Sequence, residues 1–381
     1  MTIEQPTAAA AKRFESLDAL RGICALLVAT YHIPANGLLA TNSLVRNAYL
    51  FVDYFFVLSG FVIAFSYGDR LLSHDISFVR FMGLRLGRIY PLHLAILAVF
   101  VLMELALFLP VAPITTLVNR QPFTGAHSLP ALVDSLLLLH AFGLTGGLVW
   151  NTPSWSIAAE VWCYALFGAM LIAAPKRPAL VAAGLGFIAL AWLVVWRGSI
   201  EVASDLGFVR CVYGFGLGFV TYQLFRRGRP QSGTLTEFGI VAAIIIFVSL
   251  ARGRWTFAAP PMFAVSIYLL AAGEGVVSTT LRRPAFQFLG MVSYSIYMIH
   301  YFVEQRLIDV LRLAAPWLTA RTPEGLLIST SPVLADLLTL AALGLVVVLS
   351  FITYRLIEQP GQRIVRELLA ARTAKHTAAA Q

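Results

Sequence analysis

The chain has 381 residues, of which 59% are hydrophobic and only 12% are charged, and its formal net charge is +9. Soluble domains carry about 25% charged residues, so this composition excludes an ordinary soluble protein and indicates a polytopic membrane protein. The positive charge does not indicate a nucleic-acid partner, because the arginines cluster at the ends of apolar segments, where membrane topology explains them.

Apolar segments recur along the whole chain and predict an all-α fold, a polytopic transmembrane helical bundle. A spanning helix needs about 20 apolar residues, and about ten segments approach or reach that length. An eleventh segment, 129–144, is shorter and contains Asp134 and His140, so hydropathy leaves open whether it crosses. The ten segments lie at about 20–39, 48–67, 91–110, 156–174, 179–196, 207–225, 237–251, 257–273, 286–308 and 333–357.

The distribution of basic residues predicts the orientation of the bundle. With ten spans and the N-terminus inside, most of the 28 basic residues lie on the inner side. If 129–144 crossed, the basic turn at 226–229 would lie outside, against the positive-inside rule. We therefore expect ten spans and two cytoplasmic termini. The expected parts are a cytoplasmic tail at 1–16, a membrane domain at 17–360, an outer loop at 309–332 within it, and a cytoplasmic tail at 361–381.

The first apolar segment carries ionisable residues at two depths. Arg21 and His32 are eleven residues apart, which on a helix is three turns plus roughly 20° and a rise of about 16 Å, so they share a face. His32 would lie near the midplane, either as a hydrogen-bonded packing residue or as a general base or nucleophile in a cavity. Because Pro34 cannot donate to the carbonyl oxygen of Thr30, we expect a kink after His32 and a free acceptor there.

The second apolar segment begins with FVDYFFVLSGF. Asp53 lies near the outer end of this span, where it either marks the interface or supports a site. Ser59 and Gly60 are small residues that allow close helix contact, so packing is the favoured role for them.

The third span is preceded by RFMGLRLGRIYP. Arg85 and Arg88 are three residues apart and therefore neighbours on a helix face, which would let them bind one polyanion together, with Tyr90 close by. Positive-inside topology explains the arginines equally well. The two arginines are expected on the cytoplasmic side of the membrane, where a phosphate-bearing donor such as coenzyme A would be available.

The segment PSWSIAAE contains Trp155, Ser156 and Glu160. Glu160 lies about one turn inside its span, close to the depth expected for His32. A carboxylate in hydrocarbon needs a cationic or hydrogen-bonding partner. His32 is one candidate, because a carboxylate oriented on an imidazole raises its basicity. The alternative partners of this carboxylate are nearby hydroxyl groups or water.

The segment SYSIYMIHYFVE places several hydroxyl groups at membrane depth. Ser293, Tyr297 and His300 fall on one helix face, and Glu304 ends the segment. This polar stripe either lines a tunnel for an acceptor substrate or makes hydrogen bonds between helices, and the spacing does not choose between the two.

Several familiar signatures are absent from the sequence. It contains no Walker-type phosphate loop, no Gly-x-Ser-x-Gly elbow, no CxxC pair and no HExxH motif, which disfavours an ATPase, a serine hydrolase and a zinc enzyme. Cys24, Cys163 and Cys211 lie in apolar segments without metal-ligand spacing. We expect buried free thiols and no metal site.

The ordered set of motifs resembles the membrane-bound acyltransferase family known as acyltransferase-3, whose members modify surface glycans and other hydroxylated molecules. The resemblance covers essentially the whole chain and implies that His32 is the catalytic histidine, with Arg21 its partner on the first helix. It also implies that Arg85 and Arg88 belong to the acyl-CoA site and that Glu160 is the acid of the SWS-x-x-x-E segment. The motifs are LDALRGICALLVATYHI, VDYFFVLSGFVI, RLGRIYPLH, TPSWSIAAEVWCYALF and SYSIYMIHY.

Together these expectations describe an O-acyltransferase of the cell inner membrane, surrounded by lipid. Acyl-CoA, most simply acetyl-CoA, is expected as a co-substrate and not as a permanently bound cofactor. His32 would act as base or acyl-accepting nucleophile while Glu160 fixes its tautomer. The expected acceptor is a hydroxyl of a lipid-linked or polymeric glycan. The donor site would contain Arg21, Arg85, Arg88 and Tyr90, and the supporting or acceptor-site residues would be Asp53, Trp155, Ser156, Tyr297 and His300.

The alternative function is a transporter or exporter of a glycan or lipid, in which His32 and Glu160 form a proton relay. A proton-coupled carrier has no need of coenzyme A, so donor binding at the arginine pair discriminates between the two functions. Some longer members of the family carry an appended extracellular hydrolase-like domain, and we expect none here, because the last predicted span is followed by only a short tail. If transfer requires such a domain, we expect a separate periplasmic partner protein.

Overall fold

Each of the ten predicted apolar segments lies on or overlaps a helix. Apolar runs favour helices in a membrane because a helix satisfies its backbone hydrogen bonds internally. The computed structural model describes residues 14–109, 121–323 and 325–379. Its α-helices are α1 (Glu15–His32), α2 (Leu38–Thr41), α3 (Ser43–Arg46), α4 (Phe51–Ile63), α5 (Asp69–Leu72), α6 (Phe78–Ala106), α7 (Leu129–Leu136), α8 (Trp155–Ala173), α9 (Pro178–Trp196), α10 (Gly207–Arg227), α11 (Thr234–Leu250), α12 (Ala259–Leu270), α13 (Val276–Leu281), α14 (Pro284–Ala314), α15 (Pro332–Thr353) and α16 (Gln359–Ala379).

Within the described ranges, five helical segments are long and apolar enough to cross a membrane. The other predicted spans also lie on helices, but α11 and α12 are shorter, and α1, α10 and α14 carry several charged side chains. A helical membrane protein is therefore supported, while the count of ten spans and the cytoplasmic placement of both termini stay predictions. The five segments are Ala48–Leu72, Phe78–Ala106, Thr152–Ala173, Pro178–Trp196 and Pro332–Ala371.

The segment 129–144 does not form a spanning helix. Its eight-residue helix α7 rises only about 12 Å, against roughly 30 Å of hydrocarbon. Side chains of neighbouring helices satisfy carbonyl groups at its C-terminal end. The Tyr90 hydroxyl donates to the Leu136 carbonyl oxygen at 2.6 Å, and the Trp162 indole N–H donates to the Leu138 carbonyl oxygen at 2.9 Å.

Helix α1 ends at His32, so the expected kink in a continuing helix is wrong. Ile33 is extended, with φ −79° and ψ 109°, as the residue before a proline tends to be. Its N–H donates to the Thr30 carbonyl oxygen at 3.2 Å. That carbonyl, which we expected to be free because of Pro34, therefore has a partner.

The predicted all-α fold is interrupted by one short hairpin in the loop before α15, which we predicted to be an outer loop. That loop contains an antiparallel hairpin of β1 (Thr319–Thr322) and β2 (Gly325–Ile328). Extended chain needs external partners for its backbone groups, and Ile328 supplies them to the segment that follows α1. Its N–H donates to the Pro34 carbonyl oxygen at 2.8 Å, and its carbonyl oxygen accepts from the Asn36 N–H at 3.1 Å.

The predicted C-terminal tail at 361–381 is helical as far as Ala379. A π-helical turn, Tyr354–Glu358, joins α15 directly to α16, and α16 packs against α6. The contact requires glycine, because a Cβ on Gly87 would lie 2.7 Å from the Cβ of Val365. At the other terminus α1 begins at Glu15, and most of the predicted tail 1–16 lies outside the described residues.

Helices α1 and α14 run parallel in close contact, and glycines permit the approach. Gly22 of α1 faces Gly290 of α14: a Cβ on Gly22 would lie 2.6 Å from the backbone nitrogen of Gly290. Small residues at a helix crossing let the backbones come together in this way. Further along the same pair, Arg21 bonds to Ser293 and His32 lies beside His300.

A buried ion pair joins α4 to α10. Asp53 is 0% exposed and Arg210 is 2% exposed. The Arg210 guanidinium donates to both carboxylate oxygens of Asp53, at 3.0 and 2.7 Å, and to the carbonyl oxygens of Val202 and Tyr49, each at 3.0 Å. It also lies 5.5 Å from the ring of Trp155. Asp53 is thus engaged in a satisfied bidentate pair.

We predict that Asp53→Leu lowers the free energy of unfolding by about 3–5 kcal/mol, because it leaves Arg210 buried without its counter-charge. Chemical unfolding in detergent micelles measures the loss. The double variant Asp53→Leu with Arg210→Met should be more stable than Asp53→Leu alone, since it removes both charges.

The control is Arg197→Ala, which breaks the ion pair with Asp205, whose side chains are 46% and 45% exposed. An exposed pair contributes less than about 1 kcal/mol, so this variant should unfold almost as the wild type does. Equal losses in the control and in Asp53→Leu would contradict the prediction.

Candidate functional site

Five helices, α1, α4, α6, α8 and α14, enclose a cavity of about 100 Å³. It combines three arginines and one carboxylate with hydroxyl groups and apolar side chains. We call it the arginine cavity. Its lining residues are Arg21, Phe55, Phe56, Leu58, Ser59, Val62, Ile63, Arg85, Arg88, Ile89, Ser156, Ile157, Glu160, Tyr164, Ser293, Tyr294 and Tyr297.

Arg85 and Arg88 both line this cavity, as their spacing on α6 predicts. Arg85 is only 7% exposed, and its guanidinium lies 5.5 Å from the ring of Tyr67 and 5.2 Å from that of Tyr164. These aromatic faces stabilise a cation without using its N–H groups. The Nε of Arg85 has no hydrogen-bond partner among the described residues. The pair can therefore offer N–H donors to an anion.

Arg21 completes the group of arginines and is held by α14. Its Nε donates to the Ser293 hydroxyl at 2.8 Å, one terminal nitrogen donates to the Gly290 carbonyl oxygen at 3.1 Å, and that nitrogen lies 3.4 Å from the Asp18 carboxylate. The predicted common face of Arg21 and His32 is confirmed, because both contact α14.

Glu160 lies in the arginine cavity and not beside His32. One of its carboxylate oxygens accepts hydrogen bonds from the hydroxyl groups of Ser59 and Tyr164. In the part of the chain that the structure describes, it makes no hydrogen bond to His32, so the expected tautomer-fixing contact is not formed, while the proton relay of the alternative function stays a prediction. Ser59 binds this carboxylate, while Gly60 has the predicted packing role.

The partner of His32 is His300. The Nδ1 atom of His32 lies 2.9 Å from the Val28 carbonyl oxygen and 3.3 Å from Nε2 of His300. Nδ1 of His300 lies 3.2 Å from the Ile296 carbonyl oxygen. A carbonyl oxygen only accepts, so in the neutral pair both Nδ1 atoms carry the proton. The lone pair of His32 is then on Nε2, which makes no hydrogen bond to any described residue.

Tyr297 and Ser156 connect the cavity to this histidine pair. Both line the cavity, and their oxygens are 2.7 Å apart. The Tyr297 hydroxyl also donates to the Pro153 carbonyl oxygen at 3.2 Å. The ring centroid of Tyr297 is 5.8 Å from that of His300. The polar stripe of α14 thus makes helix-to-helix hydrogen bonds and also lines the cavity.

Three residues expected in the site lie elsewhere. Asp53 and Trp155 belong to the Arg210 cluster between α4 and α10. Tyr90 does not line the arginine cavity, and its hydroxyl proton is used by the Leu136 carbonyl oxygen. The reason in each case is a partner distant in sequence, which local spacing does not reveal.

Sequence reasoning missed Tyr164, Tyr67 and Glu358. Tyr164 follows Glu160 by four residues, so one helical turn already makes them neighbours. Glu358 is 3% exposed in the turn between α15 and α16 and accepts from the Ser295 hydroxyl at 2.8 Å. An acidic residue directly after an apolar segment was the available signal for it.

No metal centre is found in the described ranges, since no three or more His, Cys, Asp or Glu side chains there are grouped to hold an ion. Cys24, Cys163 and Cys211 are buried free thiols, as predicted.

Comparisons with known proteins find similarity along nearly the whole chain. Residues 14–355 match the family model described as an acyltransferase domain. The chain is 26% identical over 399 aligned positions to the acyltransferase MdmB of Streptomyces mycarofaciens, covering 93% of this chain and 92% of that protein. It is 38% identical over 156 residues to protein 2 of the picA locus of Rhizobium radiobacter, covering 39% of this chain and 78% of that protein. No solved structure gives a significant match. The chain belongs to the acyltransferase-3 family and is a membrane acyltransferase.

Proposed function

We propose that this acyltransferase moves an acyl group from acyl-CoA to a hydroxyl of a glycan or another hydroxylated acceptor. The observation that carries the proposal is the position of the arginine cavity next to the His32–His300 pair, which puts anion-binding groups near a histidine with an unused basic nitrogen. Tyr297 belongs to the cavity lining and also contacts His300, which supports treating the two parts as one site.

The arginine cavity is suited to the donor. Coenzyme A carries phosphate groups, and arginine binds phosphate through paired, charge-assisted hydrogen bonds. Arg85 and Arg88 would bind these phosphates, since the Nε of Arg85 is unused and Arg88 lines the cavity. Glu160 also lines the cavity, which supports a role for it in the donor site. Acetyl-CoA is the simplest donor.

His32 would act through Nε2. As a general base, it takes the proton of the acceptor hydroxyl while that oxygen attacks the thioester carbonyl. The carbon–sulfur bond breaks, the ester forms, and the thiolate of coenzyme A takes the proton back from His32. As a nucleophile, Nε2 would first attack the thioester carbonyl and release the coenzyme A thiolate, which leaves an acyl-histidine. The acceptor hydroxyl then attacks the acyl carbon, the bond to Nε2 breaks, and the thiolate takes the hydroxyl proton. His300 favours either path because it keeps the Nδ1 proton of His32 in place.

The proposals for the acceptor and for the cellular location are based on the family. We propose a lipid-linked or polymeric glycan as the acceptor and the cell inner membrane as the location, with ten spans and both termini in the cytoplasm. The cytoplasmic side of α6 would then present the arginine cavity to acyl-CoA. The related acyltransferase MdmB supports group transfer, and five long apolar helical segments support the membrane location.

We predict that Arg85→Gln and Arg88→Gln each weaken binding of acetyl-CoA by about tenfold, since each removes a charge-assisted contact to phosphate. Calorimetry on the purified protein in nanodiscs measures the dissociation constant. Arg363→Gln is the matched control, because this arginine side chain is 80% exposed on α16. Wild-type protein that binds no acyl-CoA would contradict the donor site and favour the carrier.

We predict that His32→Ala lowers the rate of acyl transfer by at least about 100-fold, because general acid–base catalysis contributes that much. Surface glycans from cells lacking the protein, complemented with wild type or variant, are compared by mass spectrometry, and the mass difference identifies the acyl group. The exposed His74 supplies the control His74→Gln. Full acylation by His32→Ala would overturn the assignment.

A further inference from the structure

Glu304 on α14 is a buried carboxyl group. It is 1% exposed, and neither of its side-chain oxygens has a hydrogen-bond partner in the described part of the chain. The other buried acids of the described ranges differ in this respect: Asp53 pairs with Arg210, Glu104 accepts from the Phe123 N–H, Glu237 accepts from Ser278, and Glu358 accepts from Ser295. Burying a charge without a partner is costly, so an unpartnered acid at membrane depth indicates a function.

Helix geometry places Glu304 one turn after His300. It follows His300 by four residues, so the two side chains are neighbours on one face of α14. Helical side chains lean towards the N-terminus and cover the preceding turn, which here contains His300 and Tyr301. His32 contacts the same turn: its ring centroid is 5.0 Å from that of His300 and 6.0 Å from that of Tyr301.

The titratable side chains whose rings contact the pair are tyrosines. Tyr31 and Tyr301 contact His32, with ring centroids 4.9 and 6.0 Å away, and Tyr297 contacts His300. No ion pair or hydrogen bond joins either histidine to a charged side chain within the described ranges. Two residues after Glu304, Arg306 is already paired with Asp309 at 2.7 Å.

We propose that Glu304 is a positioning residue that provides the counter-charge for the histidine pair when His32 takes up the acceptor proton. The inference rests on the proposed function of His32. Proton uptake creates a positive charge that His32 and His300 share through the Nδ1 to Nε2 contact. A carboxylate one turn away stabilises that charge, and the stabilisation ends when His32 returns the proton to the coenzyme A thiolate. It therefore acts on the transition state and not on substrate binding.

Two measurements on the full-length protein in nanodiscs test this proposal. The first is the pH dependence of kcat/KM for acyl transfer. In Glu304→Gln the acidic limb should move to lower pH by about one unit, because His32 binds its proton less tightly without a nearby negative charge. The value of kcat should fall while KM for acetyl-CoA stays unchanged. Glu304→Asp, which keeps the carboxyl group, should recover part of the loss.

The second measurement does not require turnover. NMR of isotope-labelled histidine follows the titration of His32, identified by its loss in His32→Ala, and its midpoint should shift with Glu304→Gln as the kinetic limb does. The matched control is Asp309→Asn, which removes a carboxylate from the same helix beyond the reach of the pair, and it should leave both midpoints unchanged.

The outcomes separate this inference from the proposed function. A His32 midpoint that is the same in Glu304→Gln and in the wild type overturns the role of Glu304, even if transfer is intact. A shifted midpoint in a protein that transfers no acyl group supports the coupling and overturns the proposed function. A shift of equal size in Asp309→Asn would show a general charge effect and also overturns the inference.

Discussion

The site depends on the close parallel packing of α1 against α14. The backbones approach at Gly22 and Gly290, where a Cβ on either residue would overlap the other helix. Because both helices run in the same direction, residues further along each one stay in register. Arg21 therefore reaches α14 at one level, and His32 meets His300 about three turns further on. A wider crossing would separate the two histidines and open the wall of the arginine cavity.

The cost of burying charge explains how the polar groups of the bundle are arranged. Asp53 and Arg210 satisfy each other completely, so they stabilise the contact between α4 and α10 and have little capacity left for a ligand. Arg85 is different, because two aromatic rings lie beside its guanidinium while its Nε has no hydrogen-bond partner among the described residues. Glu304 resembles Arg85 in this respect, because its buried carboxylate oxygens also have no hydrogen-bond partner among the described residues. Satisfied pairs are structural, and buried groups with unused capacity are where we place function.

The error over Glu160 shows what depth along a helix cannot reveal. The sequence predicts Glu160 and His32 near one level of the membrane, and a shared level suggests a contact between them. The depth of a residue in the membrane does not determine which way its side chain points around the helix. Glu160 faces α4, where Ser59 binds it. The hydrogen bond between His32 and His300 joins residues 268 positions apart in sequence. Single-sequence patterns of residue type do not reveal such a contact.

The sequence by itself determined the features that follow from local periodicity and composition. These include the membrane class, the apolar helices, the common face of Arg21 and His32, and the neighbouring positions of Arg85 and Arg88. Only the tertiary structure decided which polar groups are partners. It also showed that α1 ends at His32 and that the extended segment after α1 pairs with Ile328. The physical reason is range: a helix forms from contacts within about four residues, whereas a site forms from helices distant in sequence.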